Sequence, residues 1–440
     1  MATAAGESAV GVIRVSGPDA VAVVAPLLRS PRPLGDFSSH AMRRVSVVDP
    51  DTGEPLDEAL CTLMRAPRSY TGEDVVELSC HGAPALLRAL LARLVGNGAR
   101  LAEPGEFTRR AYLNGRLELA QAEAVALLIG ARTERAVHQA ARALTTDASA
   151  PLRLLRERLL DCVAGLEVTL DFPDEGVGLD VGAAVKTVGA LREQAERRLA
   201  SVRHGRLVHE GLAVALVGAP NAGKSTLLNT LAGRERAIVS PVAGTTRDVV
   251  EATIAIAGVP VRLLDTAGLG PARDAIEAEG MRRTRAAIDE SDIVVVVIDG
   301  SGPIAPDLLP AVAARRPIVV LSKSDLPPHP GAATLPDPVR VSAVTGAGME
   351  TLAERLASAV AERAAADGDE GAVVASQRHA DQLAALHRAL AAAEASLVSS
   401  PVEVALVDLR DALGHAGAIL GIDLADSVLD RIFATFCLGK

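Results

Sequence analysis

The spacing of hydrophobic positions changes several times along the chain, and each spacing predicts a different kind of element. Before about residue 115, short runs that alternate apolar and polar positions, at 11–15, 44–48 and 75–79, predict β-strands. The stretch 83–94 predicts a helix that ends at the Gly-Asn-Gly sequence of 96–98. This mixture predicts a small α+β domain.

From residue 117 onward, apolar residues recur every three or four positions. The pattern predicts a long helical stretch to about residue 170, broken once near 145–147, then a loop at 171–176 and another helix to about 202. The same period returns from residue 377 to the C-terminus, after an acidic, glycine-containing hinge at 366–371.

Residues 211–365 alternate apolar runs with helical stretches. The predicted strands lie at 212–217, 253–256, 261–264, 293–298, 318–321 and 339–342. This order is typical of a doubly wound, mostly parallel sheet, and its insertion into a discontinuous helical domain explains the chain most simply. We therefore predict an N-terminal α+β domain at 1–115, the two halves of a helical domain at 116–208 and 367–440, and an inserted α/β domain at 209–366.

Composition is that of a globular protein, with 49% hydrophobic and 23% charged residues in 440. The apolar runs are too short to span a bilayer, and the N-terminus lacks the features of a secretory signal. The four cysteines are scattered and include no CxxC pair, which agrees with a reducing compartment and gives no zinc signature. We expect a soluble, cytoplasmic protein that does not act on a membrane.

Charge and aromatic content limit the function further. A net charge of −10 argues against a protein that coats nucleic acid, and seven Phe and Tyr residues without any Trp make a base-stacking platform improbable. Only four of the 45 basic residues are lysines, so each lysine is a candidate for a role that arginine cannot fill. They are Lys186, Lys224, Lys323 and Lys440.

The sequence at 218–225, Gly-Ala-Pro-Asn-Ala-Gly-Lys-Ser, fits the phosphate-loop pattern GxxxxGK[ST] at every fixed position. It directly follows a predicted buried strand and precedes a predicted helix at 226–231. Its glycines let backbone N–H groups curl around phosphates, Lys224 bridges the β and γ oxygens, and the Ser225 hydroxyl can ligate Mg²⁺.

Two further segments belong with this loop. The Asp-Thr-Ala-Gly sequence at 265–268 ends a predicted strand, so that Asp265 lies where the Mg²⁺ shell would be and Gly268 can sense a γ-phosphate. Between the two segments, Thr245 and Thr246 offer adjacent hydroxyls in a loop that could close over the metal and the γ-phosphate.

The choice of base falls to Ser-Lys-Ser-Asp at 322–325, which resembles the NKxD box of GTPases. The Asp325 carboxylate would accept both the ring N–H and the exocyclic amine of guanine, a pair of donors that adenine lacks. Ser342 and Ala343 resemble the sequence that backs the base. Ser322 stands where GTPases usually have Asn, and its shorter reach to the base and to the phosphate loop puts affinity in question rather than specificity.

Hydrolysis needs a group that orients water. Leu269 follows the Asp-Thr-Ala-Gly sequence where small signalling GTPases carry a glutamine, so another residue must act. Glu277 is one candidate; taken alone, it reads more readily as a solvated carboxylate at a helix start.

The C-terminal sequence Cys-Leu-Gly-Lys at 437–440 follows an apolar run at 432–436 and does not suit a prenylation box. Two interpretations stay open: an exposed tail, or a docked apolar run that carries Cys437 and Lys440 into a site.

Nearly all of the chain resembles one family, the bacterial and organellar tRNA-modification GTPase MnmE, also called TrmE. The matching sequences lie at 11–17, 70–74, 104–107, 119–123, 171–173, the nucleotide motifs and 437–440. The resemblance implies an N-terminal domain that binds folate and dimerises, a discontinuous helical domain, and an inserted GTPase domain.

The resemblance also implies a set of functional residues. Ser225 and Thr246 would bind Mg²⁺, Glu277 would orient water, and Lys224 and Cys437 would take part in catalysis. A potassium ion would supply the charge of an arginine finger, held by Asn221, Ser240, Val242 and Thr245. The implied GTP contacts are Asn221, Ala222, Gly223, Lys224, Ser225, Thr226, Ser240, Thr245, Thr246, Asp265, Thr266, Ala267, Gly268, Ser322, Lys323, Asp325, Ser342 and Ala343.

The implied folate site comprises Arg14, Glu77, Lys440 and Arg116. Other members often carry lysine at the last position, and arginine keeps that charge but changes its shape. The resemblance further implies a homodimer, a flavoprotein partner, MnmG, in a heterotetramer, and tRNA as the substrate. Together they would add a (carboxymethyl)aminomethyl group to C5 of the wobble uridine, with a one-carbon unit from a tetrahydrofolate derivative.

Two rival functions fit parts of the sequence. One is a switch GTPase of the ribosome-assembly type, without folate chemistry. The other is a folate-binding enzyme whose GTPase domain only regulates assembly. The N-terminal domain and residues 437–440 argue against the first, because such a GTPase has no need for them.

Overall fold

The computed structural model describes residues 1–4, 6–172, 180–234, 250–265, 285, 287–304, 308–364, 376–422, 424–437 and 439. The chain forms two compact units. The first comprises Met1–Ala126, Ala143–Ala184 and Ser399–Lys440, and the second comprises Leu127–Arg142 and Val185–Val398. The four-segment division made from the sequence stays a prediction.

The first unit contains a five-stranded antiparallel sheet of order β1-β5-β4-β3-β2. Its strands are β1 Ser8–Ser16, β2 Leu28–Arg29, β3 Met42–Val48, β4 Pro55–Met64 and β5 Val75–Gly82. Helices α1 (Ala20–Val24) and α2 (Pro84–Gly96) contribute to the core that covers one face of this sheet, together with inward-facing residues such as Ile13, Leu63 and Leu78. Alternation of side chains along the strands puts these apolar residues on one face.

The remaining helices of this unit hold the C-terminal segment. They are α3 (Glu106–Leu113), α4 (Leu119–Gly130), α6 (Ala150–Asp171), α12 (Val402–Leu420) and α13 (Asp426–Phe433), with α4 partly in the second unit. Leu119 and Val125 of α4 form a buried cluster with Leu429, Phe433 and Phe436, so the apolar run near the C-terminus is part of a core.

The second unit contains a six-stranded sheet of order β11-β10-β9-β6-β8-β7, parallel except for the edge strand β7. Its strands are β6 Leu212–Val217, β7 Val250–Ile256, β8 Val259–Asp265, β9 Ile293–Asp299, β10 Ile318–Ser322 and β11 Val339–Arg340. Helices α8 (Lys224–Arg234), α9 (Leu308–Val312) and α10 (Met349–Ala364) belong to the same unit. The predicted doubly wound, mostly parallel sheet is confirmed.

Three more helices lie wholly or mostly in this unit: α5 (Glu134–Thr145), α7 (Val181–Glu210) and α11 (Gln377–Ser399). An ion pair of 2.8 Å joins Arg192 of α7 to Glu394 of α11. None of the helices in the described part of the chain combines the length and apolar character that a bilayer crossing requires.

The helical stretch after residue 117 differs from the prediction in one respect. The break near 145–147 is present, but a second break separates Gly130 from Glu134. Thr133 starts the new helix, since its hydroxyl accepts the N–H of Ala136 at 3.2 Å. The sequence pattern missed this break because apolar residues continue across it with a helix-like spacing.

Candidate nucleotide-binding site

The phosphate-loop sequence lies between a strand and a helix, as predicted. All six residues of β6 are buried, and α8 begins at Lys224. Asn221 and Gly223 have φ of 62° and 93°, so the loop turns through the left-handed region at both positions. A Cβ on Gly218 would lie 2.2 Å from the carbonyl oxygen of Val297, which only glycine permits.

Lys224 is buried within this loop. Its ammonium group donates to the carbonyl oxygens of Gly218 at 3.1 Å and Ala219 at 3.0 Å. Ser225 and Thr226 occupy the next two positions of α8 and are exposed, so their hydroxyls lie at the helix N-terminus. A buried ammonium beside a helix N-terminus is suited to phosphate oxygens.

The guanine-box sequence follows β10, two strands away from the loop-bearing strand. The Ser342 hydroxyl donates to Oδ1 of Asp325 at 2.5 Å, and it accepts the N–H of Thr345 at 3.2 Å. Ser342 is fully buried, whereas Asp325 is exposed. The carboxylate is therefore fixed on one side by the protein and open to solvent, as an acceptor for two ring donors requires.

Ser322 links this box to the phosphate loop. Its hydroxyl lies 2.6 Å from the carbonyl oxygen of Ala222 and 3.1 Å from that of Ile298. The sequence raised the question whether the short side chain would reach the loop, and in the structure it does. The contact to the P-loop is thus made without asparagine.

A second site forms in the N-terminal domain around Arg14 of β1. Its guanidinium donates to Glu77 of β5 at 2.7 Å, and the two residues are partners in the β1–β5 register. The same group lies 5.6 Å from the ring centroids of both Tyr70 and Phe107. Burial raises the pKa of Tyr70 above its usual value, although its hydrogen bond with Thr108 opposes this.

The C-terminal residues reach this second site. An N–H of the Arg14 guanidinium lies 3.4 Å from the carbonyl oxygen of Gly439. Gly439 has φ of 90°, and a Cβ there would lie 2.1 Å from the carbonyl oxygen of Met1. Of the two interpretations of this segment, docking is the one in the structure: Phe436 is buried, and Cys437 follows it with its side chain exposed.

Comparison with known proteins accounts for the whole chain. The family model described as the N-terminus of the GTP-binding protein TrmE matches residues 1–116, and the one described as the MnmE helical domain matches residues 119–437. The chain belongs to the MnmE family.

Full-length relatives agree with this assignment. The tRNA modification GTPase MnmE of Geobacter sulfurreducens is 43% identical over 458 residues, covering 100% of this chain and 98% of that protein. The protein of the same name from Thermus thermophilus is 42% identical over 445 residues, with the same coverage of both chains.

Solved structures resemble a part of this MnmE-family chain. Aquifex aeolicus Era bound to GDP and AlF4⁻ is 29% identical, with a TM-score of 0.27, and covers 33% of this chain and 56% of its own. The G domain of the T. maritima FeoB iron transporter is 26% identical, with a TM-score of 0.27, and covers 35% of this chain and 98% of its own.

Several residues that the family resemblance implies lie outside the described residues. They are Ser240, Val242, Thr245, Thr246, Thr266, Ala267, Gly268, Glu277 and Lys440. Asp265 is described as the last residue of β8, where it is the register partner of Leu216, one residue before the end of β6. Its backbone is thus at the same sheet edge as the phosphate loop.

Arg116, the fourth implied folate residue, donates from Nε to the carbonyl oxygen of Ser69 at 3.1 Å. Ser69 precedes Tyr70, whose ring faces Arg14. The structure therefore connects Arg116 to the Arg14 site through the 69–70 backbone, and no direct contact between the two arginines is needed for this.

Sequence reasoning missed Asp299 in this MnmE-family site. It ends β9, and its Oδ2 lies 2.6 Å from the Lys323 ammonium group. Partial burial acts to raise the pKa of Asp299, but hydrogen bonds from Lys323 and Ser301 outweigh it and hold this pKa below its usual value. The available signal was a carboxylate at the carboxyl end of a predicted parallel strand, the edge where ligands bind in such sheets.

Proposed function

We propose that the chain hydrolyses GTP to drive the addition of a (carboxymethyl)aminomethyl group to C5 of the wobble uridine in tRNA. Membership of the MnmE family makes it a GTP hydrolase that acts in tRNA modification. The observation that carries the proposal is the linked pair of boxes: Ser342 fixes the Asp325 carboxylate, and Ser322 joins the same box to the phosphate loop.

Guanine specificity follows from the fixed carboxylate. An ionised Asp325 only accepts hydrogen bonds, so it matches the ring N–H and the amine of guanine and is left unpaired opposite adenine. Lys224 would neutralise the β and γ oxygens. Thr226, Ala343 and the backbone N–H groups of 221–225 would complete the nucleotide contacts.

Mg²⁺ and K⁺ are the proposed metal ions, and the described residues fit both. The exposed Ser225 hydroxyl at the start of α8 is a hard oxygen ligand beside the phosphates, and Thr246 would be its counterpart. The exposed Asn221 offers an amide oxygen to K⁺, with Ser240, Val242 and Thr245 as the other ligands. Such ions would neutralise charge on the transferring phosphoryl group, while Glu277 orients water.

A tetrahydrofolate derivative is the proposed donor of the one-carbon unit. The Glu77 carboxylate accepts hydrogen bonds of the kind that the amine and ring N–H of a pterin donate, and Arg14 lies beside two aromatic rings that can flank a planar group. Arg116 and Lys440 would add positive charge for the glutamate part of the ligand. Cys437, which follows the docked Phe436, is a candidate participant in the uridine chemistry.

The proposed assembly is a homodimer through the N-terminal domain, joined by the flavoprotein MnmG in a heterotetramer. A redox partner is chemically reasonable, because forming an aminomethyl group from a folate one-carbon unit requires electron transfer that no residue described here supplies. A tRNA substrate makes the cytoplasm the expected location of the reaction.

Nucleoside analysis of wobble uridines tests the proposal. Cells that lack the protein should lose the C5 modification, and expression of the wild-type chain should restore it, whereas expression of Asp325→Asn should not. Unchanged wobble uridines in the cells that lack the protein would overturn the proposal and favour a switch GTPase without folate chemistry.

A further inference from the structure

Lys323 is the one lysine of the guanine box, and its backbone is in an unusual conformation. Its φ is 56°, in the left-handed region that side chains other than glycine, Asn and Asp rarely adopt. The strain is held in place by the surroundings: Ser322 on one side bonds to the phosphate loop, and the N–H of Ser324 on the other donates to Val341 at 3.1 Å. The direction in which the Lys323 side chain leaves the chain is therefore fixed.

The far end of this side chain is fixed by Asp299. Oδ2 of Asp299 lies 2.6 Å from the Lys323 ammonium group, and both side chains are about one-third exposed, at 29% and 37%. A lysine side chain has four rotatable bonds, so a bond at its tip selects one of many rotamers. An anchor at each end orders the whole stem.

The Asp299 carboxylate is itself rigidly held. Its Oδ1 accepts the backbone N–H of Ser301 at 2.9 Å and the Ser301 hydroxyl at 2.7 Å. Its backbone is the register partner of Ser322, and the N–H of Gly300 donates to Ser322 at 3.0 Å. Ser301 thus occupies one carboxylate oxygen and leaves the other aimed at Lys323.

We propose that Asp299 is a positioning residue of the guanine-nucleotide site and acts by holding the Lys323 side chain. The inference rests on the proposed binding of guanine nucleotides. Asp299 touches neither the base nor the phosphates; it orders in advance a side chain that lies between the phosphate-loop link at Ser322 and the base acceptor at Asp325. Preordering of this kind increases affinity because less side-chain entropy is lost on binding.

Equilibrium binding of a fluorescent GDP derivative to the full chain tests this inference. The variants are Asp299→Asn, Lys323→Ala and the double variant. Asp299→Asn should weaken binding about threefold to tenfold, the range for a charged hydrogen bond that is partly exposed. Lys323→Ala should weaken it at least as much, and the double variant should equal Lys323→Ala, since Asp299 acts only through Lys323.

Two matched controls separate this effect from the general loss of a charge. Asp337→Asn removes an aspartate that is ion-paired with Arg355 and precedes β11, at the opposite end of the strands, and Lys186→Ala removes an exposed lysine of α7. Both should bind GDP as the wild type does. The ratio of GDP to IDP affinity should also stay unchanged in Asp299→Asn, because the exocyclic amine contacts Asp325 and not Lys323.

The outcomes are distinguishable. Wild-type affinity in Asp299→Asn, or a double variant that is weaker than Lys323→Ala by the full Asp299→Asn effect, would overturn the positioning role. Failure of the wild-type chain to bind GDP would overturn the proposed function and this inference with it. If Asp299→Asn does not fold, Ser301→Ala releases Oδ1 of the same carboxylate and should give a smaller loss that vanishes in the Lys323→Ala background; a loss that persists there would overturn the role.

Discussion

The hydroxyl oxygen of Ser322 lies 2.6 Å from the carbonyl oxygen of Ala222, so the end of β10 is hydrogen-bonded to the phosphate loop. The second neighbour of this hydroxyl, the carbonyl oxygen of Ile298 at 3.1 Å, also only accepts. Ser322 is 6% exposed, and its single proton is committed to the protein. The residue therefore supports the loop, and recognition of the base by donors falls to its neighbours.

Ser322→Ala is expected to weaken GTP and GDP binding together, by about threefold to tenfold, because the loop loses one buried hydrogen bond. The preference for GTP over ATP should not change, since Asp325 still reads the base. Competition binding with both nucleotides measures this, with Ser358→Ala on the exposed face of α10 as the control. A loss of preference for GTP would show that Ser322 reads the base directly.

Asp325→Asn should change which base is bound. An amide presents one acceptor and one NH₂ donor, so guanine loses a partner for one of its donors, while xanthine, with a carbonyl in place of the amine, gains one. We expect GDP affinity to fall at least about 100-fold and XDP affinity to rise. Ser342→Ala, which keeps the carboxylate and removes only its 2.5 Å hydrogen bond, should cause a smaller loss without any gain for XDP.

How much of this site the sequence could predict depended on how local each feature is. The phosphate loop was predictable because its strand, glycines and helix are adjacent along the chain. Asp299 and Lys323 are 24 positions apart and meet only through the register of β9 and β10, which no local pattern specifies. The docking of the C-terminal run was likewise undecided, because it depends on contacts between residues near 105 and residues near 433.

The fold shows the same limit. The strand β4 was not predicted, although Ala59, Cys61 and Leu63 alternate inward along it. The outward positions 60 and 64 are also apolar, and Leu60 is 42% exposed, so the alternation that identifies a half-buried strand is hidden. Only the pairing of β4 with β3 and β5 decides which face is buried.

GTP hydrolysis should be faster in K⁺ than in Na⁺ at equal ionic strength. The proposed reason is the exposed Asn221 in the left-handed turn of the phosphate loop, whose amide oxygen would be a potassium ligand. Asn221→Ala should remove the difference between the two salts, which phosphate release in each salt measures. Asn229→Ala, an exposed position on α8, is the control and should keep the difference. Equal rates for the wild type in both salts would contradict the potassium role.

Stability should fall in acid through Glu106. Burial acts to raise the pKa of Glu106, but hydrogen bonds from Arg100 and Arg110 lower it from 4.5 to about 2. Because the folded-state pKa is the lower one, the stabilisation is complete above about pH 4.5 and is lost as the pH falls toward 2. The difference in unfolding free energy between wild type and Glu106→Gln should shrink over this window in denaturant titrations. A constant difference would rule out this ion pair as its source.

The Pro-Gly-Glu-Phe sequence at 104–107 is expected to control docking of the C-terminal segment. Gly105 has φ of 69°, and a Cβ there would lie 2.5 Å from the carbonyl oxygen of Phe433, while its N–H donates to Cys437 at 3.5 Å. Gly105→Ala therefore combines the cost of a left-handed alanine, about 1 kcal/mol, with a backbone clash. Gly115→Ala is the matched control, because Gly115 has φ of 66° and nothing within 4 Å of its Cβ position.

Both variants should lose stability, but only Gly105→Ala should expose the segment at 424–440 to protease and weaken binding of a tetrahydrofolate derivative. The physical reason is that Phe433 and Phe436 anchor the residues that reach Arg14, so displacement of α13 withdraws them from the folate site. Limited proteolysis with mass spectrometry and calorimetric folate binding measure the two effects. If Gly105→Ala matched Gly115→Ala in both measurements, the docked segment would have no part in that site.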